Sequence, residues 1–287
     1  MQKPAKMDEE VFEGEEVSAL PAIRSEDRSE IDLRIQTAHK FPRNITTFRQ
    51  QALTMATMDE ETAESCYYQL PRGGKVIEGP GIRLAEIVNS AWGNMDCCAW
   101  VHEVQDHWVV ARAYAHDLEK NVRVSFEVRR RITDKYGKRY NEDMILVTAN
   151  AACAIALRNA IFRVVPKAYV DSIMASAKKV AIGDASTLAT RRAKALTFFN
   201  SLNVTNERIL AFLKKPGLDD IDLKDLEALT GLKTAIKEGS TTVEEVFPVA
   251  PAPGAAAGEA PAANKTEATL NKLKATKGTE AAQPPQA

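Results

Sequence analysis

MDCCAWVHEVQDHWVVARAYAHDLEKNVRVSFEVRRRI, residues 95–132, is the stretch that decides the fold. It divides into three runs, 95–104, 107–116 and 122–132, separated by short polar turns. In the middle run Val109, Ala111, Ala113 and Ala115 fall on one face, while Trp108, Val110, Arg112, Tyr114 and His116 fall on the other. In the third run Val122, Val124, Phe126 and Val128 alternate with Arg123, Ser125, Glu127 and Arg129. Alternation repeated over three adjacent runs predicts an antiparallel β meander with one buried side. A face of small apolar groups admits a helix at close range. Residues 144–165 supply it, because the centre from Ala149 to Leu157 is small, apolar and bare of charge, which predicts burial. Pro166 ends or kinks that helix. The fold class is therefore α+β, a meander backed by a long buried helix.

Working outward toward the N-terminus, residues 82–91 read as a helix after Gly79-Pro80-Gly81. Residues 66–70 and 76–78 read as paired strands around the turn Pro71-Arg72-Gly73-Gly74-Lys75. Asn44 caps a helix to Met58, a short helix follows at 59–65, and Pro42 marks a break before them. Ile31, Leu33 and Ile35 alternate with Asp32, Arg34 and Gln36, which predicts a short half-exposed strand. Toward the C-terminus, 169–181 and 187–201 read as helices. Residues 203–247 read as a separate small helical unit with Thr205 and Thr242 at caps. Residues 1–30 (an acidic arm) and 248–287 (a Pro/Ala-rich tail) are expected to be disordered.

Net charge is −1, so the whole-chain balance names no partner. Its distribution is more telling, for residues 120–194 carry 16 Lys/Arg against 6 Asp/Glu, between acidic ends. That is the footprint of a polyanion-binding surface, or of a solvated helical one. The four cysteines, Cys66, Cys97, Cys98 and Cys153, have no metal-ligand spacing and fit buried thiols of a reducing compartment. No acidic, histidine or serine constellation suggests catalysis, and Gly73-Gly74-Lys75 lacks the spacing of a phosphate-binding loop. No cofactor, no metal and no membrane segment are expected, and a soluble cytoplasmic protein is.

Three segments belong together: SCYYQLPRGGKVIEGPGIRLAEIVNSAWG at 65–93, the meander, and the helix ending Ala156-Leu157-Arg158-Asn159-Ala160-Ile161-Phe162-Arg163. In that order they resemble the phage single-strand annealing proteins, the RecT and lambda Red-beta group. The ring-forming eukaryotic annealing protein is similar in layout, and the likeness covers roughly residues 30–200. It implies a core, residues 31–201, that forms rings or helical filaments in a bacterial host. A basic groove there would hold single-stranded DNA with its bases presented to a second strand, without a nucleotide cofactor, and would carry the annealed duplex. It also implies a partner for 203–287, a host single-strand binding protein or a phage exonuclease. Arg158 carries over from the eukaryotic pattern, whereas Ala154 and Ile155 replace its basic stretch, which moves expected contacts to the 129–139 loop.

Annealing needs phosphates neutralised while base edges stay free, and cations interleaved with aromatics do this. The candidates are Arg129, Arg130, Arg131, Lys135, Lys138 and Arg139, with Tyr136 (and Tyr140) for stacking. Arg158, Arg163 and Lys167 at the end of the long helix, Arg72 and Lys75 at the hairpin turn, and Arg112 complete the set. Each has a plainer alternative: a solvated β–α loop, cations favouring a helix C-terminus, an ordinary hairpin. Trp92, Trp100 and Trp108 fit core or interface aromatics, or base platforms. A passive single-strand binder and an interaction scaffold are the rival functions.

Overall fold

The computed structural model describes residues 25–73, 75–134 and 136–248. In chain order the elements are α1 (Ser25–Lys40), α2 (Ile45–Ala56), α3 (Glu60–Ser65), β1 (Tyr67–Arg72), β2 (Lys75–Pro80), α4 (Ile82–Trp92), β3 (Met95–Val104), β4 (Trp108–Asp117) and β5 (Val122–Arg131). Then follow α5 (Glu142–Val164), α6 (Lys167–Ile182), α7 (Leu188–Ser201), α8 (Asn206–Leu213), α9 (Leu223–Lys237) and α10 (Val243–Val246). The fold is α+β.

The meander forms as its alternation requires, an antiparallel sheet ordered β3-β4-β5. Val109, Ala111, Ala113 and Ala115 are all fully buried, and α5 lies across them. Asn141 starts α5 by accepting a hydrogen bond from the Met144 N–H at 2.9 Å, a contact typically worth about 1 kcal/mol. Ile145, Ala149, Ala152 and Ala156, spaced by three or four, make the buried side of α5. α5 is buried on this sheet-facing side, as expected, and not on the other. Met144, Leu146 and Val147 face outward, with Leu146 61 % exposed. A sheet covers only one side of a helix, so a composition without charge does not by itself seal the other. Among the described residues α5 is also the one helix long and apolar enough to cross a membrane by length and composition. Here its small-residue side is spent on the sheet.

The strand expected at 31–35 is also corrected, because those residues lie within α1. Among the described residues they pair with no strand, and a helix satisfies its backbone internally. Ile31 and Leu33 are exposed, so the alternation marked no buried face.

Beyond the sheet end, α2, α4 and α6 gather around Trp92, which is 1 % exposed and packs edge-on to Phe48 with ring centroids 4.9 Å apart. Such a pair adds about 1 kcal/mol beyond area burial. Arg43 lies over the Trp92 ring and grips Asp117 at the end of β4 with two nitrogens, at 2.5 and 2.7 Å.

Residues 203–247, expected to stand apart, pack onto the rest. Ile209, Leu226, Leu229, Leu232 and Phe247 form their own apolar cluster, but Ala195 and Phe199 of α7 complete it. α9 lies along β1, where a Cβ on Gly231 would come within 2.5 Å of the Gln69 side chain, so only glycine allows this approach. Lys233 pairs with Glu64 at 2.6 Å, and the Thr234 hydroxyl donates to the Glu64 carbonyl at 2.9 Å. The two expected disordered ends, apart from residues 25–30 in α1 and Pro248, lie outside the described residues.

Candidate nucleic-acid interface

Strand alternation divides the arginine run. Arg131 sits opposite Trp108, Arg129 opposite Val110 and Arg123 opposite His116, so these arginines share the face of Arg112, away from α5. Arg130 points to the other side, where it is half-buried; burial draws its guanidinium below the ordinary value, against the pull of Glu245. The structure therefore does not bring it together with Arg129 and Arg131. On the outer face Arg112 and Arg129 both grip Glu127 at 3.0 Å, and their hydrogen bonds hold its carboxyl below the ordinary range. Arg131 lies over Trp108 (5.2 Å) and Arg123 over Tyr114 (3.9 Å). Arg123 was not singled out from sequence, although its place in the alternation already put it beside Arg129.

Asp134 and residues 136–139 form a compact turn. The Asp134 carboxylate accepts the backbone N–H groups of Tyr136 and Lys138 at 2.8 and 2.9 Å, and Gly137 takes a φ of +85° that favours glycine. Arg139 donates to the carbonyls of Gln105 and Asp106, at 2.7 and 2.9 Å, and so braces the β3–β4 turn. Lys138 and Tyr136 are exposed there. Lys135 lies outside the described residues.

Of the remaining candidates Arg158, Arg163 and Lys167 line a groove of about 800 Å³, and Arg72 and Lys75 lie outside its lining, at the hairpin tip. One wall is the β1–β2 hairpin. Tyr68, Leu70 and Arg72 alternate onto one face, and their partners Gly79, Ile77 and Lys75 share it. The opposite face of the hairpin is occupied by α9, through Tyr67 and Gln69. Gly79 is needed because the Tyr68 ring crosses it; a Cβ there would lie 2.7 Å from the Tyr68 hydroxyl. Phe126 of β5 with Asn159, Phe162 and Arg163 of α5 forms the other wall, and Lys167, Val170, Asp171 and Met174 of α6 close it. The Arg163 guanidinium is exposed and lies over the Phe126 ring at 5.8 Å. Lys167 is exposed and bridges to Asp171 at 2.6 Å.

Arg158 is brought to this groove but not into its solvent. Its guanidinium is buried, pairs with Glu238 at 3.1 Å and lies over the Tyr68 ring at 4.8 Å. An arginine held this way supports the wall and is withdrawn from the expected DNA contacts. Other cations of the basic block are likewise spent within the chain. Lys178 bridges Glu78 and Glu227, Arg191 and Lys194 reach Glu60, and Arg192 reaches Asp219. Charge counting along the sequence could not see these pairings, since most of the carboxylates come from distant segments.

All four cysteines are free, with burial pushing the Cys66 thiol up to about 12. Among the described residues no cluster of three or more His, Cys, Asp or Glu could hold a metal ion. No family model, curated protein or solved structure matches this chain.

Proposed function

We propose that this protein binds single-stranded DNA and anneals complementary strands, with one strand lying along the groove. The observation that carries the reading is that open trough, where Arg163 and Lys167 stand beside Phe126, Phe162 and Tyr68; beyond it the hairpin ends in Arg72 and Lys75. Cations that track a backbone next to rings on which bases stack are the common means of holding a single strand without reading its sequence. Self-assembly fits the same reading. Leu146 and Val147 on α5, Leu33 on α1 and Val104 on edge strand β3 expose apolar surface that a neighbouring copy would cover.

The test is the rate at which two complementary oligonucleotides anneal, with no nucleotide added, at protein levels that coat them. Acceleration over the spontaneous rate is expected, and binding that weakens steeply with salt. Unchanged annealing refutes the reading. Slower annealing with retained binding makes the protein a passive strand protector, and salt-insensitive or absent binding favours a scaffold.

A further inference from the structure

Annealing brings two strands together, and the groove accounts for one. Resting on the groove reading, we propose that the open face of the β3–β4–β5 sheet is a second single-stranded DNA site, where bases stack on Trp100 and Trp108 while phosphates meet Arg123 and Arg131. α5 packs on the opposite side, and on this face Trp100 and Trp108 are 42 % and 38 % exposed, with Val110 buried between the longer side chains. Tryptophan is usually far more buried than this. Trp100 lies against Tyr114 with centroids 6.2 Å apart, so the aromatic surface continues across β3 and β4.

The charge on this face is arranged for an anion. Its acids are already engaged: Arg112 and Arg129 share Glu127, Arg34 and the Tyr114 hydroxyl hold Asp96, and Gln105 donates to Glu103. Arg123 and Arg131 stand over aromatic rings with no carboxylate in ion-pair reach among the described residues. From Trp108 to Tyr114 the strand covers about 20 Å, which is room for about six stacked nucleotides at roughly 3.4 Å each. The loop carrying Lys138 and Arg139 adjoins the Trp108 end, since Arg139 holds the β3–β4 turn.

The tryptophans report on the site directly. Trp92 is buried in the core, so DNA on the sheet quenches only Trp100 and Trp108. Full-length protein is first saturated with one labelled oligonucleotide, then offered a second, non-complementary one labelled differently. Wild type is expected to capture both, and tryptophan emission to fall on the second addition. R123E/R131E and W100A/W108A, surface changes checked by circular dichroism, are expected to keep the first affinity within about twofold while losing second-strand capture and at least about tenfold in annealing rate. R163E/K167E is expected to lose the first affinity instead. Sheet variants that anneal at the wild-type rate overturn the proposal. So do sheet variants that fall from oligomer to monomer in light scattering, which would make the face an interface between copies. If R163E/K167E binds normally while oligonucleotide still quenches the tryptophans, the groove reading fails and the sheet site stands.

Discussion

Two sealed guanidinium–carboxylate pairs, one at the end of the sheet and one beside the groove, look alike and behave oppositely. Arg43 and Asp117 have side chains 7 % and 2 % exposed; Arg158 and Glu238 have 8 % and 9 %. Asp117 gathers two nitrogens of Arg43, the Trp92 indole at 3.2 Å and the backbone N–H groups of Glu119 and Lys120 at 3.1 and 3.2 Å. Glu238 has the Ile82 N–H at 2.6 Å and one nitrogen of Arg158. Burial raises both carboxyls. For Asp117 the hydrogen bonds outweigh it and the carboxyl sits below its ordinary 3.8; for Glu238 they do not, and it sits above 4.5. The number of donors aimed at a buried anion, rather than the presence of a cation, decides whether its charge is at rest.

The largest effect expected from this contrast is at the sheet end. Arg43→Ala leaves Asp117 charged, buried and without its main partner, and should cost about 3–5 kcal/mol, read as a fall in the urea midpoint. A loss below about 1 kcal/mol would mean that Trp92 and the two backbone donors hold the anion unaided. At the groove, Glu238→Gln keeps an oxygen toward Ile82 or Arg158 and should cost only about 1–3 kcal/mol at neutral pH. Equal losses at the two sites would erase the distinction.

The pH dependence sharpens the same comparison through opposite signs. Asp117 titrates below its unfolded value, so its contribution is present above about pH 4 and disappears as pH falls through the native pKa. Glu238 titrates above its unfolded value. Its relative contribution is greatest below pH 4.5 and declines as pH rises through the native pKa. Asp117→Asn should therefore flatten the acid limb of the stability curve, whereas Glu238→Gln should flatten the decline above pH 4.5. Denaturant midpoints across pH 3–7 check both, and limbs that change together would refute the assignment.

These pairs also mark what the chain disclosed before it was folded. The meander was legible because period-two alternation ran through three neighbouring segments, and an all-small face on 109–115 required a helix against it. The same alternation at 31–35 misled, since two periods of a pattern do not supply a neighbouring strand. For the candidate site, Arg129, Arg130 and Arg131 were grouped and Arg123 was left out, although alternation places Arg130 on the opposite face and Arg123 with the other two. Alternation could not show that Arg158 meets a carboxylate 80 residues away, or that the hairpin and the end of α5 enclose one groove. Local period determines which face a side chain takes; the partner waiting on that face is set by topology.

The finest distinction lies within a single helix. Arg158 and Arg163 stand five residues apart near the end of α5, one buried against Glu238 and the other exposed over Phe126. If the groove holds a single strand, Arg163→Ala removes one phosphate contact. The slope of log affinity against log salt should then shrink by about 0.7, while stability stays within about 0.5 kcal/mol of wild type. Arg158→Ala should do the reverse, lowering the urea midpoint through the stranded Glu238 and leaving the salt slope of the folded protein intact. Should the slope respond to Arg158 and not to Arg163, the strand would have to displace Glu238 and reach the buried guanidinium. That outcome would convert the groove wall into the contact surface, and the contrast between the two arginines would be lost.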